Sequence, residues 1–487
     1  MPARIDTFLS QNNYYKILLI ILAVFVCSWK LGSEPLNEWD ESRNGVNAIE
    51  MLQSGDYVNL YYGGEPDTWN AKPPMYIWLV TLSYSVFGYN EFALRFPSAL
   101  AAFISIIITF HLVNRFVNKR IAFFSSFIIL TVDGIVGNHV GRTGDFDALL
   151  LMFIMLSIWH LLLYTEFNKK ISILYCAIFL GFAYLSKGLA VLIIFPGLFL
   201  YTIISRKIVQ IFSDKMFWLS AVVFVGFIMG WYLIGHLYGL SFETSIYGTK
   251  NSFQTMWQYD VLHRFSAGFN DSKSARNLAF FITFLDVKFN LWNYAFYLMI
   301  IAFVISAFKR RSIFTPEESH AYSLFLFSFC IISTTGLILS LSAESHFWYM
   351  TPAVPFIAIL VAAGFEKLSK HYKPTVYVAI ILSMVTFTKK IYELSTPHSK
   401  PSFISSNQAI IEKADKISVY NMGRQDYLLY LKFNNKNVTI SRELTNLGTF
   451  PDELLVTNKE TYENSPSLKS TTTVHYDTGE VFILRPM

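Results

Sequence analysis

Apolar runs of membrane-crossing length recur along this chain from residue 15 to residue 393. About 20 apolar residues in a helix cross the hydrocarbon core of a bilayer. Hydrophobic residues make up 53% of the sequence and charged residues only 15%, which is too apolar for a soluble domain of 487 residues. We therefore predict a polytopic α-helical membrane protein with about 11 to 13 transmembrane helices. The eleven runs are 15–31, 92–113, 121–138, 147–164, 171–186, 188–204, 217–237, 289–308, 321–341, 347–365 and 374–393.

Basic clusters between the runs predict the orientation of the chain, because Lys and Arg in short loops favour the cytoplasmic side. If the first run is a retained anchor that leaves the cytoplasm, all five clusters lie inside. This holds only if the apolar segment 73–88 does not cross, so we expect an interfacial or re-entrant helix there. The clusters are Arg115/Lys119/Arg120, Lys169/Lys170, Arg206/Lys207/Lys215, Lys309/Arg310/Arg311 and Lys367/Lys370/Lys373.

The same orientation places the polar segments on one outer face. These segments are the first outer loop of about 32–91, residues 137–148, Lys187, the long loop of about 238–288, and residues 342–347. Hydropathy falls after residue 395, where "KISVYNM", "NVTIS" and "HYDTGEVFIL" predict strands and "RQDYLLYLKF" predicts a helix. We therefore expect a membrane domain, residues 1–395, followed by a small extracytoplasmic α/β domain, residues 396–487.

The first outer loop is unusually acidic for so apolar a chain. For Glu50, Asp56, Glu65 and Asp67 the expected role is ordinary solvated loop charge. Asp40 and Glu41 differ, because they follow the first run by about nine residues, at the expected membrane interface. An ionisable group there is costly unless it has a function. Asp40 is therefore a candidate functional residue from its position alone.

Three segments carry a resemblance to a known family when they are taken in order. They are "DESRNGVNAIEMLQSGDYV" with "NAKPPMYIWLVTLSYSVFGYNEFALRFPSAL", then "GFAYLSKGLAVL", then "HFWYMTPAVPFIAIL". Together they resemble the GT-C glycosyltransferases, in the branch of the protein O-mannosyltransferases and the lipid A aminoarabinose transferases (ArnT-like). The resemblance implies a GT-C fold and an inverting enzyme. Such an enzyme takes a sugar from a polyprenyl-phosphate carrier on the outer face and passes it to a lipid A-like lipid, a glycan or a protein.

The resemblance also implies roles for individual residues. Asp40 matches the catalytic carboxylate that activates the acceptor, and Asp147 matches the acidic residue of the second outer loop, with Asp145 as its rival. Arg43, Lys72 and Lys187 match basic positions near the carrier phosphate. Tyr349 matches a tyrosine that lines the same cavity, and Glu41 and His346 are our further candidates for that cavity.

The chemistry also follows without the resemblance. Fixed cations stabilise the charge that grows on a phosphate leaving group, and a carboxylate within hydrogen-bond reach accepts the proton of the acceptor. We find no G-x-G-x-x-G or P-loop pattern for a soluble nucleotide, and the basic residues lie between membrane runs, so no nucleic-acid partner is expected.

The sequence departs from the lipid A branch where that branch holds zinc. Ala71 replaces a Glu, and Val261 stands where a His is expected, with His263 two places away. We therefore expect no zinc at that place and predict no cofactor. His139 and His346 could hold another divalent metal, although interface hydrogen bonding is the more common role of such histidines.

Two other classes of protein compete with a transferase. A transporter of a lipid-linked or amphipathic substrate would also have many spans and intramembrane charges. However, the chain shows no repeated halves, and its charged residues lie at one face instead of the midplane. A non-catalytic scaffold would not be expected to keep all the acidic and basic residues named above.

Overall fold

The computed structural model describes residues 13–67, 69–70, 72–244, 248–251, 277–308, 319–342, 345–396, 400, 402–441 and 452–487. Two compact units divide the chain. The first, called the membrane unit, consists of Met1–Lys30, Ser98–Leu237 and Phe253–Thr396. The second, called the polar unit, consists of Leu31–Pro97, Tyr238–Ser252 and Pro397–Met487. Residues 31–97 thus share a unit with the C-terminal residues from 397 onward. The division into domains 1–395 and 396–487 stays a prediction.

Helices dominate the described residues. In chain order they are α1 Tyr14–Ser28, α2 Asp40–Ser54, α3 Met75–Phe87, α4 Glu91–Phe116, α5 Lys119–Thr131, α6 Asp147–Phe167, α7 Ser172–Lys187, α8 Phe195–Ile204, α9 Ile208–Ser213, α10 Lys215–Tyr238, α11 Phe280–Lys288, α12 Trp292–Phe308, α13 Ser319–Leu341, α14 Val354–His371, α15 Pro374–Ser395, α16 Ser402–Lys413, α17 Gln425–Asn434, α18 Lys459–Asn464 and α19 Pro466–Thr471. Short 3₁₀ segments, Gly188–Ile194 and Phe347–Ala353, precede α8 and α14.

Strands occur only in the polar unit among the described residues. They are β1 Tyr61–Tyr62, β2 Glu65–Pro66, β3 Ser241–Thr244, β4 Gly248–Asn251, β5 Lys416–Tyr420, β6 Val438–Ser441, β7 Glu453–Asn458, β8 Thr472–Asp477 and β9 Val481–Pro486. The last five form one sheet in the order β6-β5-β7-β9-β8. β5 is parallel to β6 and β7, and β9 is antiparallel to β7 and β8. A small C-terminal α/β domain was predicted and is confirmed.

Seven helical stretches of the described chain are long and apolar enough to cross a bilayer. They are Glu91–Phe116, Asp147–Phe167, Ser172–Ile204, Lys215–Tyr238, His320–Leu341, Phe347–Lys370 and Pro374–Ser395. Shorter apolar helices are Tyr14–Ser28, Met75–Phe87 and Trp292–Ile301. The protein is therefore a multi-pass membrane protein, as predicted. One helix ends early: α5 stops at Thr131 and not near 138, because Val132 is extended and turns follow.

The stretch Ser172–Ile204 folds back on itself at Lys187–Gly188. Lys187, at its middle, contacts Asp147 at the first residue of α6, whereas Tyr201 and Lys207 contact Glu166 near the last residue of α6. A helix of 21 residues is about 30 Å long, so the chain reaches the start of α6 at Lys187 and has returned to the end of α6 by Tyr201. Gly188 has φ of +61°, a conformation that favours glycine. The prediction of two separate runs here is confirmed.

The segment predicted as an interfacial helix forms α3, with 13 residues. At 1.5 Å per residue it is about 20 Å long, which is shorter than the hydrocarbon core. The face of α3 that carries Tyr76, Val80 and Tyr84 is buried in the polar unit. Leu82 and Val86 lie on the exposed face. Its placement at the membrane interface stays a prediction that this length and this division of faces support.

Candidate active site

Helix α2 carries three acidic residues of the predicted first outer loop, Asp40, Glu41 and Glu50. Asp40 and Glu41 occupy its first turn, where negative charge complements the helix dipole. The helix ends at Ser54, where Gly55 adopts φ of +71° and donates its N–H to the carbonyl of Met51. Asp40 is therefore placed on a regular element and not on a loop.

Glu41 is part of a buried ion pair. Its carboxylate accepts Nε of Arg95 at 2.6 Å and a second Arg95 nitrogen at 3.0 Å, and it also accepts the backbone N–H of Asn37 at 2.8 Å. Arg95 donates further to the carbonyls of Leu31 and Glu34. Only 1% of Glu41 is exposed. Its contacts fix the start of α2, and its predicted role in a substrate cavity stays untested.

Asp40 differs from its neighbour in its surroundings. The residue is half-buried. Within the described part of the polar unit its carboxylate has no hydrogen-bond or ion-pair partner, whereas the carboxylate of Glu41 is fully engaged. Of the two adjacent acids, Asp40 is therefore the one whose carboxylate is not occupied by described partners of its own unit.

Arg43 lies one turn after Asp40 and binds Asp67. Two of its nitrogens reach the two Asp67 oxygens at 2.9 and 2.6 Å, and its guanidinium lies 4.3 Å from the centre of the Tyr62 ring. Burial raises the pKa of Asp67, but the hydrogen bonds and charge of Arg43, with a further bond from Asn47, bring that pKa below its usual value. The predicted role of Arg43 near a phosphate stays a prediction, and its observed contact is structural.

Two acids of this loop are not solvated, contrary to expectation. Glu50 and Asp67 are 5% and 4% exposed. Asp67 also accepts the backbone N–H groups of Trp69 and Asn70, and Glu50 accepts those of Gly63 and Gly64. Glu65 is exposed as expected. The charge pattern alone could not separate these cases, because the partners of the buried acids are backbone groups and distant side chains.

Lys72 lies on a segment that is tied to α2. Asn70, two residues earlier, donates its side-chain amide to Asn44 at 3.2 Å and to Asn47 at 2.9 Å. Lys72 itself is half-buried, just before α3 begins at Met75. The structure thus brings the stretch that carries Lys72 against the helix that begins with Asp40.

The membrane unit holds a second group, centred on Asp147. Both Asp147 oxygens lie 2.6 Å from Nζ of Lys187, and this ammonium lies 5.1 Å from the centre of the Tyr349 ring. Asp147 is the first residue of α6, and Lys187 is the last residue of α7. Three predicted site residues that are far apart in sequence therefore meet where α6 begins and α7 ends.

Asp145 points to different partners. It accepts the Thr143 hydroxyl at 2.5 Å and lies 3.7 Å from Nδ1 of His139. The His139 ring stacks on Trp348 at 4.0 Å, and the His346 ring stacks on Trp348 at 4.4 Å. Sequence reasoning named both histidines but missed Trp348, although "SHFWYM" places an aromatic residue two positions after His346.

Two buried cations hold the loop that carries Asp145. Arg142 donates to the carbonyls at the end of α1, including that of Trp29 at 3.0 Å. Lys390, from α15, pairs with Asp133 and donates to the carbonyl of Val136 at 3.1 Å. Only 3% of Arg142 and 2% of Lys390 are exposed. The loop is thus held by buried charged side chains to α1, which precedes it in the sequence, and to α15, which follows it.

The positions compared with the zinc site of the lipid A branch are Ala71, Val261 and His263, and all three lie outside the described residues. The expectation of no zinc there stays a prediction. The same applies to Arg264 and Phe265, on which that comparison was aligned, and to the basic cluster 309–311.

Comparison with known proteins defines the class of this fold. The family model of dolichyl-phosphate-mannose-protein mannosyltransferases matches residues 71–233. The archaeal oligosaccharyltransferase AglB from Archaeoglobus fulgidus aligns over 97% of this chain and 74% of its own, with a TM-score of 0.54 and 11% identity. The chain has the GT-C fold, and the resemblance seen in its sequence is confirmed.

The likeness to ArnT is stronger within this class. ArnT from Cupriavidus metallidurans, in a crystal structure bound to undecaprenyl phosphate, aligns over 97% of this chain and 98% of its own, with a TM-score of 0.71 and 16% identity. In sequence, an uncharacterised protein of Aquifex aeolicus is 26% identical over 351 residues, which is 71% of this chain and 63% of that protein. An undecaprenyl phosphate-α-4-amino-4-deoxy-L-arabinose arabinosyl transferase of Photorhabdus laumondii is 28% identical over 41% of this chain and 37% of its own length. The matched regions thus span at most 63% of these curated relatives.

Proposed function

We propose that the protein is an inverting glycosyltransferase. It moves a sugar from a polyprenyl-phosphate carrier to an acceptor at the outer face of the membrane. The observation that carries this proposal is the state of Asp40: it lies in the first turn of α2 with its carboxylate uncommitted in its unit, while Glu41 and Asp67 beside it are held by arginines. Of these three acids, Asp40 is the one suited to act as a base.

The reaction breaks one bond and forms another. The oxygen of the acceptor attacks the anomeric carbon of the sugar from the face opposite the phosphate. The bond from that carbon to the phosphate oxygen breaks, and its electron pair leaves with the polyprenyl phosphate. Asp40 takes the proton of an acceptor hydroxyl as the new bond forms. If the acceptor is an ionised phosphate, Asp40 positions it and takes no proton.

The basic residues receive the leaving group in this proposal. Lys72 and Lys187 stabilise the charge that develops on the carrier phosphate, because fixed cations near a leaving group favour the transition state over the ground state. Arg43 would assist from the first turns of α2. Asp147, the second acid, orients the Lys187 ammonium through their ion pair, and Tyr349 lies against that ammonium. We assign His346, Asp145 and Glu41, with Tyr349, to the substrate cavity.

The partners and location follow from the same chemistry. The donor is a polyprenyl-phosphate-linked hexose or pentose, and the acceptor is a lipid A-like lipid, a glycan or a protein of the cell envelope. We place the protein in the plasma (inner) membrane with its N-terminus in the cytoplasm. The polar unit, which includes the C-terminal domain, is then extracytoplasmic. No cofactor is proposed.

The transporter alternative is not favoured. The matched relatives with descriptive names are sugar transferases, and the polar residues gathered around Asp147 lie at helix ends and not at the middle of the spans.

Transfer can be tested with the full chain in membrane vesicles and radiolabelled undecaprenyl-phosphate sugars. We expect label to leave the carrier only when the active protein is present. Mass spectrometry of lipids and glycoproteins from cells with and without the gene then identifies the acceptor. If no lipid, glycan or protein loses a sugar in the deleted strain, the proposed function is wrong.

Orientation has a separate test. Cysteines placed at Ser54 and Ser467, both exposed in the polar unit, should react with a membrane-impermeant reagent added outside intact cells. A cysteine at Ser312, which lies outside the described residues, should not react. Labelling at Ser312 from outside would reverse the proposed orientation.

A further inference from the structure

Helix α17 of the C-terminal domain packs directly on α2. Gly45, in the second turn of α2, faces Leu429 so closely that an added Cβ would lie 2.5 Å from a Leu429 methyl carbon. Tyr430, beside Leu429, accepts the backbone N–H of Leu36 at 3.0 Å through its hydroxyl oxygen. The tail of the chain therefore contacts both the body of α2 and the segment that leads into it.

A buried ion pair fixes the second half of α2. Nζ of Lys432 lies 2.8 Å from a Glu50 oxygen, and the two side chains are 2% and 6% exposed. Lys432 also donates to the carbonyl of Val438 at 2.6 Å, at the start of β6. The remaining capacity of Glu50 is filled by the N–H groups of Gly63 and Gly64 at 2.9 and 3.1 Å.

The β1–β2 hairpin completes this network. Gly63 and Gly64 form its two-residue turn with φ of +71° and +90°. A type I′ hairpin turn requires positive φ at both central residues. The carbonyl of Gly63 accepts the N–H of Ile440 in β6 at 3.1 Å. Helix, hairpin and tail thus share one set of buried polar contacts.

We propose that Lys432 and Glu50 are positioning residues that hold α2, and with it Asp40, in the geometry of transfer. The proposal rests on the proposed function. Glu50 lies ten residues after Asp40, or about 15 Å along the helix, so neither Glu50 nor Lys432 touches the reacting atoms. Their effect is to fix the direction and depth of the helix. A displacement of about 1 Å at a reacting group can cost roughly a hundredfold in rate.

The test compares Lys432→Met with the control Lys416→Met in the full-length membrane protein. Lys416 pairs with Glu453 inside the sheet at 3.5 Å, so the control removes a lysine and an ion pair from the same domain. For Lys432→Met we expect kcat to fall about tenfold or more, while the donor KM stays within about twofold. The control should keep kcat within about threefold of the parent.

Hydrogen exchange supplies a readout that does not depend on activity. In Lys432→Met the amides of residues 40–54 should exchange at least about tenfold faster than in the parent, since a buried partner of the helix is lost. In Lys416→Met faster exchange should be confined to the sheet. The double variant Glu50→Gln/Lys432→Met removes both charges and should recover part of the rate, because a single change leaves an unpaired buried charge.

The outcomes separate the two proposals. Unchanged exchange of residues 40–54 in Lys432→Met overturns the positioning role, whether or not any transfer is measured. Faster exchange with kcat unchanged also overturns it, because the order of α2 would then not matter to the reaction. A parent protein that transfers no sugar, with the exchange pattern as expected, contradicts the proposed function and leaves the structural link between Lys432 and α2 intact.

Discussion

Two helices of this protein begin with an aspartate, and their surroundings differ. Asp147 starts α6 in the membrane unit with Lys187 at 2.6 Å from both of its oxygens. Asp40 starts α2 in the polar unit with no charged partner among the described residues of that unit. A carboxylate held by an ammonium is a poor base, and its main effect is to orient its lysine. Among the described residues, the same position on a helix thus carries an acid without a charged partner of its own unit in one case and an acid paired with a lysine in the other.

The largest effect should come from Asp40→Asn, which keeps the shape of the side chain and removes its basicity. Transfer should fall by roughly two or more orders of magnitude, while the protein stays folded and in the membrane. Single-turnover assays with labelled donor measure the loss. Near-normal transfer by this variant would mean that Asp40 has no role in the reaction. The proposed functional difference between Asp40 and Asp147 would then be wrong.

Lys187→Ala tests the other side of the comparison. It removes a proposed phosphate contact and leaves the Asp147 carboxylate buried without its ammonium, so the affinity for a polyprenyl phosphate should fall about 10- to 100-fold. The double variant Lys187→Ala/Asp147→Asn should bind better than the single variant, because the unpaired charge is gone, and worse than the parent. Equal binding by the double variant and the parent would mean that Lys187 serves only Asp147.

Lys72→Ala should have a smaller effect on binding, about tenfold, because one charge-assisted hydrogen bond to the phosphate is lost. Titration with polyprenyl phosphate measures it, with Asp40→Asn as the control that should bind almost normally. Lys72→Arg helps to decide the cause, since a lysine that merely reaches the membrane interface tolerates arginine easily and a fitted phosphate contact often does not. Parent-like binding by both Lys72→Ala and Lys187→Ala would mean that the donor is held elsewhere.

The smallest effect is expected from Arg43→Lys. The bidentate hydrogen bonding to Asp67 is lost while the positive charge remains. The free energy of unfolding should therefore fall by about 1 to 2 kcal/mol. Thermal unfolding in detergent measures this loss, and transfer per folded molecule should change less than about threefold. A large fall in donor affinity would mean that the carrier phosphate needs the guanidinium of Arg43 and not only its positive charge.

The sequence predicts the membrane unit better than the polar unit, for a physical reason. Length and hydropathy are enough to predict membrane-spanning helices. The basic residues predict on which side of the membrane each short loop lies. The strand Glu453–Asn458 was missed because a short apolar run such as "LLV" suits a strand or a buried helix equally well. The predicted strands "KISVYNM" and "NVTIS" succeeded because both contain several β-branched residues, which favour strands.

The candidate site shows the same division. Asp147, Lys187 and Tyr349 were named from the resemblance, and the structure brings them together. The burial of Glu50 could not be inferred, because its partner Lys432 lies nearly 400 residues away and nothing near Glu50 indicates it. The stack of His139, Trp348 and His346 was missed for a similar reason: the two histidines come from separate segments, and ring stacking leaves no spacing pattern in a sequence.

The contact between Leu36 and Tyr430 also has a consequence for the synthesis of the protein. These residues are 394 positions apart, so a ribosome that adds 5 to 20 residues per second makes the second of them roughly 20 to 80 s after the first. During that interval α2 exists without the surface on which it packs, while the helices between are inserted one after another. The polar unit is therefore completed only when synthesis is nearly finished. A chain interrupted between residues 396 and 425 would have all its described membrane helices and still lack the support of α2.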